Sequence, residues 1–499
     1  MIDRQPKYEA FATREVSLDI LLERYNQHPV STLETYKYFN QKGEEADSRK
    51  TAFVEASLQG ATPDSPGFTY DAIVVEDLIK TRDELTEMLQ SLPIDSELDG
   101  RGKIIRENIT NRLNEIGIML LSKMQSELSS DDPSYEAISY QLGENMGEVY
   151  GIPESEHWRG ILGYRLSKLA KIEEMDDAST AVLEAWAHIK EELPTDLPIT
   201  KPYVPRPETI EWYRGQLDER LASSRQAIKR ALDDGVLLLN EDGKLDAVEI
   251  VKATNIGLSE RGADEWSAVI SAESNIDSTQ STKRMNIPEK RMMTLAEFDQ
   301  IILGHEIDEH VIRRVNGDAS GDAVLSGSGA NGYLGWEEGN GKANEALIKG
   351  SVKSEASAFG FYLSGGLALG IETNGSRGRN FGQTFDLVWR MNYVAAELTG
   401  KNSGDVSVDQ MAHMTKAVTH LYRLFRGTDG RVPGVILTKD VMTYYLGQAD
   451  VFRKWDGDME RLTEPERLRE HTLERSAKIN PLRPDHRAVA DAALGNIDL

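Results

Sequence analysis

The chain of 499 residues is long enough to bury a large core in two or more domains or subdomains. Hydrophobic residues at 39% and charged residues at 28% describe an ordinary soluble protein. A net charge of −26 opposes non-specific binding to nucleic acid or to an anionic membrane, and the absence of cysteine excludes disulfides and thiolate metal sites. Any transition metal must therefore rely on His, Asp or Glu. The N-terminus, MIDRQPKYEAFATREVSL, lacks the apolar core of a signal peptide. No run approaches the ~18 apolar residues that a membrane span requires. The expected location is cytoplasmic, with neither a membrane nor a nucleic acid as partner.

In chain order, the first 190 or so residues read as helices. Ala72 to Leu92 and Ile104 to Leu128 place apolar residues at three- and four-residue spacing between charges. Pro194, Pro198, Pro202, Pro205 and Pro207 then form an extended linker or belt. This divides the chain into a helical N-terminal region (1–193), a Pro-rich linker (194–207) and a second domain (208–499). Beyond the linker, Glu208 to Asp234 is an amphipathic helix. Three segments, Val236 to Asn240, Trp266 to Ala272 and Ser281 to Pro288, look like short strands.

The next helix carries the most informative pattern, His305-Glu306-Ile307-Asp308-Glu309-His310. Thr294 and Glu297 form a potential capping box, Met293 and Phe298 a hydrophobic staple, and Asn316-Gly317 a stop signal. Two imidazoles flanking a carboxylate can hold zinc and supply the base that activates its water. The usual H-E-x-x-H spacing puts both imidazoles on one face, but here three residues separate Glu306 from His310. At about 100° per residue, positions five apart on an α-helix diverge by roughly 140°. A π-bulge would bring them back together, and such bulges favour functional sites. The competing reading is a solvated acidic face, since Asp308 and Glu309 are also charged. Ile301, Ile302, Val311 and Ile312 flank the pattern, so the helix is at least partly buried, where a His-Glu-His cluster without a metal is costly.

A zinc site needs a third ligand. In Tyr333-Leu-Gly-Trp-Glu337-Glu338-Gly-Asn340, two carboxylates stand at the expected start of a helix, Ala343 to Ile348. Many zincins take the third ligand from a carboxylate immediately before Gly on a second helix. Glu338 fits that position and Glu337 is the fallback; the bland alternative is a favourable dipole contact. Two other patterns are decoys. Gly327-Ser-Gly329-Ala-Asn-Gly332 spells GxGxxG but follows a helix rather than a strand, and reads as a flexible loop joining the two ligand helices. Asn240, Asp242, Gly243 and Glu249 mimic a calcium loop, yet its first position would be the apolar Leu238, so a tight turn is the better reading. Finally, Met411 to Lys454 is a local basic island containing Tyr422, Arg423, Arg426 and Lys439. Either these cations pair with acidic neighbours, or they grip an anion such as the terminal carboxylate of a peptide.

Together these segments resemble the tubulin-tyrosine carboxypeptidase-like metallopeptidases. His305 to His310 followed by Ile312-Arg313-Arg314-Val-Asn316-Gly317 is similar to that family's HEIxxH…LR..NG signature. Glu337-Glu338-Gly339 is similar to its EEGLA or QEGLA segment, and Arg423-Leu-Phe-Arg426-Gly427 and Thr438-Lys439-Asp440 to its R..RG and TKD segments. The matches run in the family's order from about residue 290 to 450. The resemblance implies that His305, His310 and Glu338 bind zinc, that Glu306 is the general base, and that a residue is removed from a protein or peptide C-terminus. Two departures stand out. Asn340-Gly341 replaces the Leu-Ala pair of the family with polar and flexible residues. Glu309 stands where the family usually has Thr, and would repel a substrate carboxylate or alter the groups behind the ligands.

The expected fold class is α+β and predominantly helical, a zincin-like metallopeptidase core with a helical N-terminal region. The expected function is that of a zinc (Zn2+) metallocarboxypeptidase acting on a peptide or protein C-terminal tail. Zinc would polarise the scissile carbonyl, Glu306 would activate the water, and Arg423, Arg426 or Tyr422 would steady the oxyanion. Lys439 or an arginine would meet the terminal carboxylate. The alternatives are an inactive relative that binds peptide tails or regulates a partner, and an endo- or aminopeptidase with the same zinc chemistry. Nothing in the sequence specifies an oligomeric state.

Overall fold

The computed structural model describes residues 18–27, 38–39, 43–93, 98–272, 276–280, 282–320, 325, 330, 332–350, 352, 359–373 and 378–494. Most of these are helical, and among them the regular strands form one small sheet. None of the described helices is long and apolar enough to cross a membrane. The expected amphipathic helices are present as Val75–Ser91, Gly100–Glu127 and Pro207–Asp233. Pro207 sits at the first position of the last, where its missing N–H costs nothing.

Strands β1 (Ser267–Ser271), β2 (Asp277–Thr279) and β3 (Arg284–Pro288) lie in the order β1-β3-β2. β1 pairs parallel to β3 with Ser267 opposite Arg284, and β2 pairs antiparallel to β3 with Asp277 opposite Asn286. Met285 and Ile287, alternate residues of β3, point into the core, as a half-buried strand requires. The expected strand at Val236 to Asn240 is absent. There the N–H groups of Val236 and Leu237 close the preceding helix on the Ala231 carbonyl, and the Leu238 N–H bonds to the Glu249 carboxylate. With its donors taken and Leu238 and Leu239 exposed, the segment has no sheet to join. The calcium-loop decoy is indeed a tight turn, the Asn240 side chain accepting from the N–H groups of Asp242 and Lys244.

Two hydrophobic cores organise the described residues. The first joins the N-terminal helices to Phe359–Leu369, Phe381–Glu397 and Val406–Phe425. The second joins Pro207–Asp233, Ala247–Glu260, the sheet, the motif helix and Tyr333–Ile348. Helix Lys439–Arg461 spans both, with Val441 and Tyr445 in the first core and Val451, Phe452 and Trp455 in the second. The Pro-rich segment is held closely along its course. Thr200 N–H bonds to the Gly160 carbonyl, and a Cβ on Gly163 would lie 2.1 Å from the Pro198 oxygen. Tyr203, the Arg206 N–H and Thr209 all donate to the Asp456 carboxylate.

Candidate metal centre

The motif helix opens with the capping box at Thr294 and Glu297 and a single α-turn, Leu295–Glu297. Met293 and Phe298, the two halves of the staple, are both buried in the second core. It then becomes a π-helix over the 14 residues Phe298–Val311 and returns to α geometry for Ile312–Ala319. The bulge that the spacing demands is thus an extended π-segment. Bonds from i to i+5 widen the turn, each residue adds less rotation, and positions five apart come onto nearly one face. The expected stop at Asn316-Gly317 is overrun by two residues, because the Asn316 side chain donates to the Arg475 carbonyl and stays within the helix.

Glu337 and Glu338 lie inside a helix, Tyr333–Ile348, that begins well before the expected Ala343. That helix crosses the motif helix at close range. A Cβ on Gly304 would lie 2.4 Å from Ile348 Cδ1, and one on Gly341 would lie 2.6 Å from the His305 ring. Gly341 is therefore a steric requirement, since its bare backbone is the wall against which the His305 imidazole rests. Asn340 is buried and donates to the Trp336 carbonyl. The pair that reads as flexible in the sequence is tightly packed.

The result is a convergent set of donors. His305 Nε2 lies 3.1 Å from His310 Nε2 and 3.3 Å from Glu338 Oε2, and His310 Nε2 lies 3.8 Å from Glu338 Oε1. Ligand atoms of these three residues all fall within 4.8 Å of one another. The far side of each ring is braced. His305 Nδ1 meets Glu345 Oε1 at 2.5 Å and His310 Nδ1 meets Glu337 Oε1 at 2.8 Å. A carboxylate behind each imidazole fixes Nδ1 as the protonated nitrogen and leaves Nε2 as the ligand atom. Two nitrogens and one carboxylate oxygen are a donor set that suits zinc and leaves one position open.

The charges are coupled. Burial opposes protonation of His305, yet Glu338 and Glu345 raise it to about 10. Against the same desolvation, the two rings hold Glu338 at about 2, His305 holds Glu345 at about 2, and Lys478 with His310 holds Glu337 at about 2. Imidazoles and carboxylates thus favour one another's charged forms across the cluster. Glu306 is half-buried on the motif helix; burial pushes its carboxyl up, and the nearby His310 and His305 only partly offset this.

The solvated acidic face is absent. Asp308 and Glu309 are both 0% exposed. Asp308 is paired with Arg261 at 2.7 Å, Arg475 at 2.8 Å and Arg220 at 3.2 Å, which hold it at about 2 despite burial. Glu309 is paired with Arg475 at 2.9 Å and Arg313 at 3.1 Å, so its charge is engaged in the interior rather than aimed at a substrate.

The basic island divides. Tyr422 is buried in the first core, its ring packed on Phe68 and Phe381 with Lys50 above it. Its expected role at the oxyanion is therefore replaced by burial among aromatic rings. Arg426 is buried and paired with Asp440 at 3.0 Å. Arg423 also pairs with Asp440 at 3.0 Å, but its side chain is 38% exposed and lies over Phe361. It donates to the Tyr444 hydroxyl at 3.1 Å. Lys439, the first residue of its helix, is half-buried and helps to hold Asp440 ionised after Arg426 and Arg423. Lys342 connects this group to the donors: its ammonium lies 5.9 Å from the Tyr444 ring and 2.7 Å from Glu345, the carboxylate behind His305.

Glu345 and Tyr444 escape a motif reading. Glu345 stands seven residues after Glu338, on the same helical face, and that spacing was its available signal. Of the GxGxxG loop, Gly327 and Gly329 lie outside the described residues. No family model matches the sequence, and no curated protein matches it.

Proposed function

We propose that this chain is a zinc-dependent peptidase, built on a zincin-like core, that removes a residue from the C-terminus of a protein or peptide. The observation that supports it is the convergence of His305 Nε2, His310 Nε2 and a Glu338 carboxylate oxygen within 4.8 Å, each imidazole braced by its own carboxylate. The likeness of the motifs to the tubulin-tyrosine carboxypeptidase-like enzymes supports the reaction class. Zinc held by these three residues would polarise the scissile carbonyl and acidify a water at neutral pH.

The remaining work falls to the chain's own side chains. Glu306 takes the proton of the attacking water and passes it to the departing amine, and its burial moves it towards the pH at which it must do both. Tyr444 replaces Tyr422 as the donor to the developing oxyanion. Burial, with the charges of Glu338 and Asp440, keeps its phenol protonated, and because it accepts from Arg423 its own proton remains to be donated. Arg423, fixed by Asp440 and partly exposed, meets the terminal carboxylate of the substrate. Arg426 holds Asp440 in place from the buried side.

Three measurements test this. Protein purified without chelator is expected to carry about one zinc per chain by elemental mass spectrometry, lost in a His305→Ala, His310→Ala variant. Glu306→Gln is expected to keep the metal while hydrolysis falls by about 100- to 10,000-fold. Cleavage is expected to stop when the substrate terminus is an amide. Turnover that persists in Glu306→Gln refutes the mechanism. Tail binding with no cleavage by the wild type would mark a binding protein on a peptidase scaffold.

A further inference from the structure

The π-segment that brings His310 to His305 has to end, and its ending leaves a gap in the backbone bonding. The Ile312 N–H reaches the carbonyls of Ile307 and Glu309. Beyond this point, over Ile312–Ala319, the helix settles into the α ladder, in which an N–H bonds four residues back. Where the two ladders meet, one backbone carbonyl among positions 308–310 is passed over. A buried carbonyl without a donor costs as much as a lost hydrogen bond. Here the donor is supplied from a distant part of the chain, because the Arg475 guanidinium, at the end of helix Glu464–Arg475, bonds to the Asp308 carbonyl.

The attachment runs both ways. Arg313, fully buried, donates to the Ala477 carbonyl at 2.8 Å and 3.0 Å and to the Ile479 carbonyl at 3.0 Å. Segment 475–479 is therefore bolted to the point where π geometry gives way to α.

We infer that Arg475 is a positioning residue for the metal centre: by donating to the Asp308 carbonyl where π geometry gives way to α, it holds the π register that aligns His310 with His305. The inference rests on the metal reading above. If Arg475 is lost, the Asp308 carboxylate keeps Arg220 and Arg261, and Glu309 keeps Arg313. Among the described residues, no other side chain replaces the guanidinium bond to the Asp308 carbonyl. The helix can recover a partner for it by relaxing towards α bonding, which carries positions 305 and 310 roughly 140° apart.

The test compares Arg475→Met with Arg379→Met, a control that breaks the buried Arg379–Glu372 pair in the other core. Amide exchange across residues 305–313 is measured in metal-free protein, and cobalt(II) absorption and zinc affinity in the same samples. Arg475→Met is expected to speed exchange locally by about tenfold, weaken zinc by about 10- to 100-fold and lose the tetrahedral cobalt band. Arg379→Met is expected to lower the melting temperature and leave all three unchanged. Wild-type exchange and a wild-type cobalt band in Arg475→Met overturn the inference. Should the wild type bind neither metal, the metal reading falls, and the exchange rates still decide the register. If Arg475→Met does not fold, Arg475→Lys is measured instead. A lysine ammonium lacks the planar fork with which the guanidinium spans the carbonyl and both carboxylates, so about three- to tenfold effects support the inference and wild-type values overturn it.

Discussion

Among the described residues, two groups of side chains have the spacing of a metal site: His305, His310 and Glu338, and Asp458, Glu470 and Glu474. In each, the ligand atoms lie within 4.8 Å of one another. They compensate their buried negative charge in different ways. The second group is filled by its own chain, because the Lys454 ammonium lies 2.6 Å from Asp458 and 2.9 Å from Glu470 and also pairs with Glu474. In the first group two imidazole nitrogens face one carboxylate, and the Lys342 ammonium meets Glu345 behind His305 rather than a donor; an imidazole proton can be displaced by a divalent ion where a tethered lysine cannot. Clustered carboxylates alone therefore do not identify a metal site. What distinguishes one is the presence of nitrogen donors with carboxylates behind them and no cation at the centre.

Breaking the second group gives the largest expected effect on stability. Lys454→Met leaves three carboxylates facing one another and is expected to destabilise the fold by about 3–5 kcal/mol, read as a lower urea midpoint. An unchanged midpoint would show that the ammonium is not the balancing charge. Next in size, Glu345→Ala removes the brace behind His305 and is expected to weaken zinc by about 10- to 100-fold in competition with a chromophoric chelator. Glu470→Ala, at the other group, is expected to leave zinc affinity unaltered, and equal losses in both variants would erase the distinction. The smallest effect is a pH dependence. Despite partial burial, Arg487 and Lys454 hold Glu470 at about 2, below its ordinary 4.5. Its contribution is thus present above about pH 4.5 and is lost as the pH falls through about 2. Glu470→Gln is expected to cost about 2 kcal/mol at neutral pH, with the gap from wild type closing in acid; a gap that stays constant with pH rules out this origin.

The parts of this arrangement that were legible in the sequence are local ones. The capping box, strands β1 and β3, the unusual His-to-His spacing and the Glu338 position all follow from residues a few places apart. The parts that were not legible depend on chain crossings. Asp308 and Glu309 look like a wet acidic face because their partners, Arg220, Arg261 and Arg475, arrive from helices far away in sequence. Tyr422 and Tyr444 are equally plausible phenols on paper. Only the helix faces decide that one enters the first core and the other stands with Arg423 and Lys342. The strand expected at Val236 failed for a similar reason, since its apolar residues had no neighbouring strand to meet.

The glycines between the two halves of the site have a consequence of their own. A Cβ on Gly339 would lie 2.4 Å from the backbone of Gly447, and one on Gly447 would lie 2.1 Å from the Gly335 oxygen. Helices Tyr333–Ile348 and Lys439–Arg461 therefore touch backbone to backbone. Glu338 on one and Tyr444 on the other are carried by a single solid body. A saturation scan would find Gly339 and Gly447 intolerant of any side chain, although neither performs chemistry, and would find that a change at one cannot be rescued by shrinking the other, which is already as small as a residue can be.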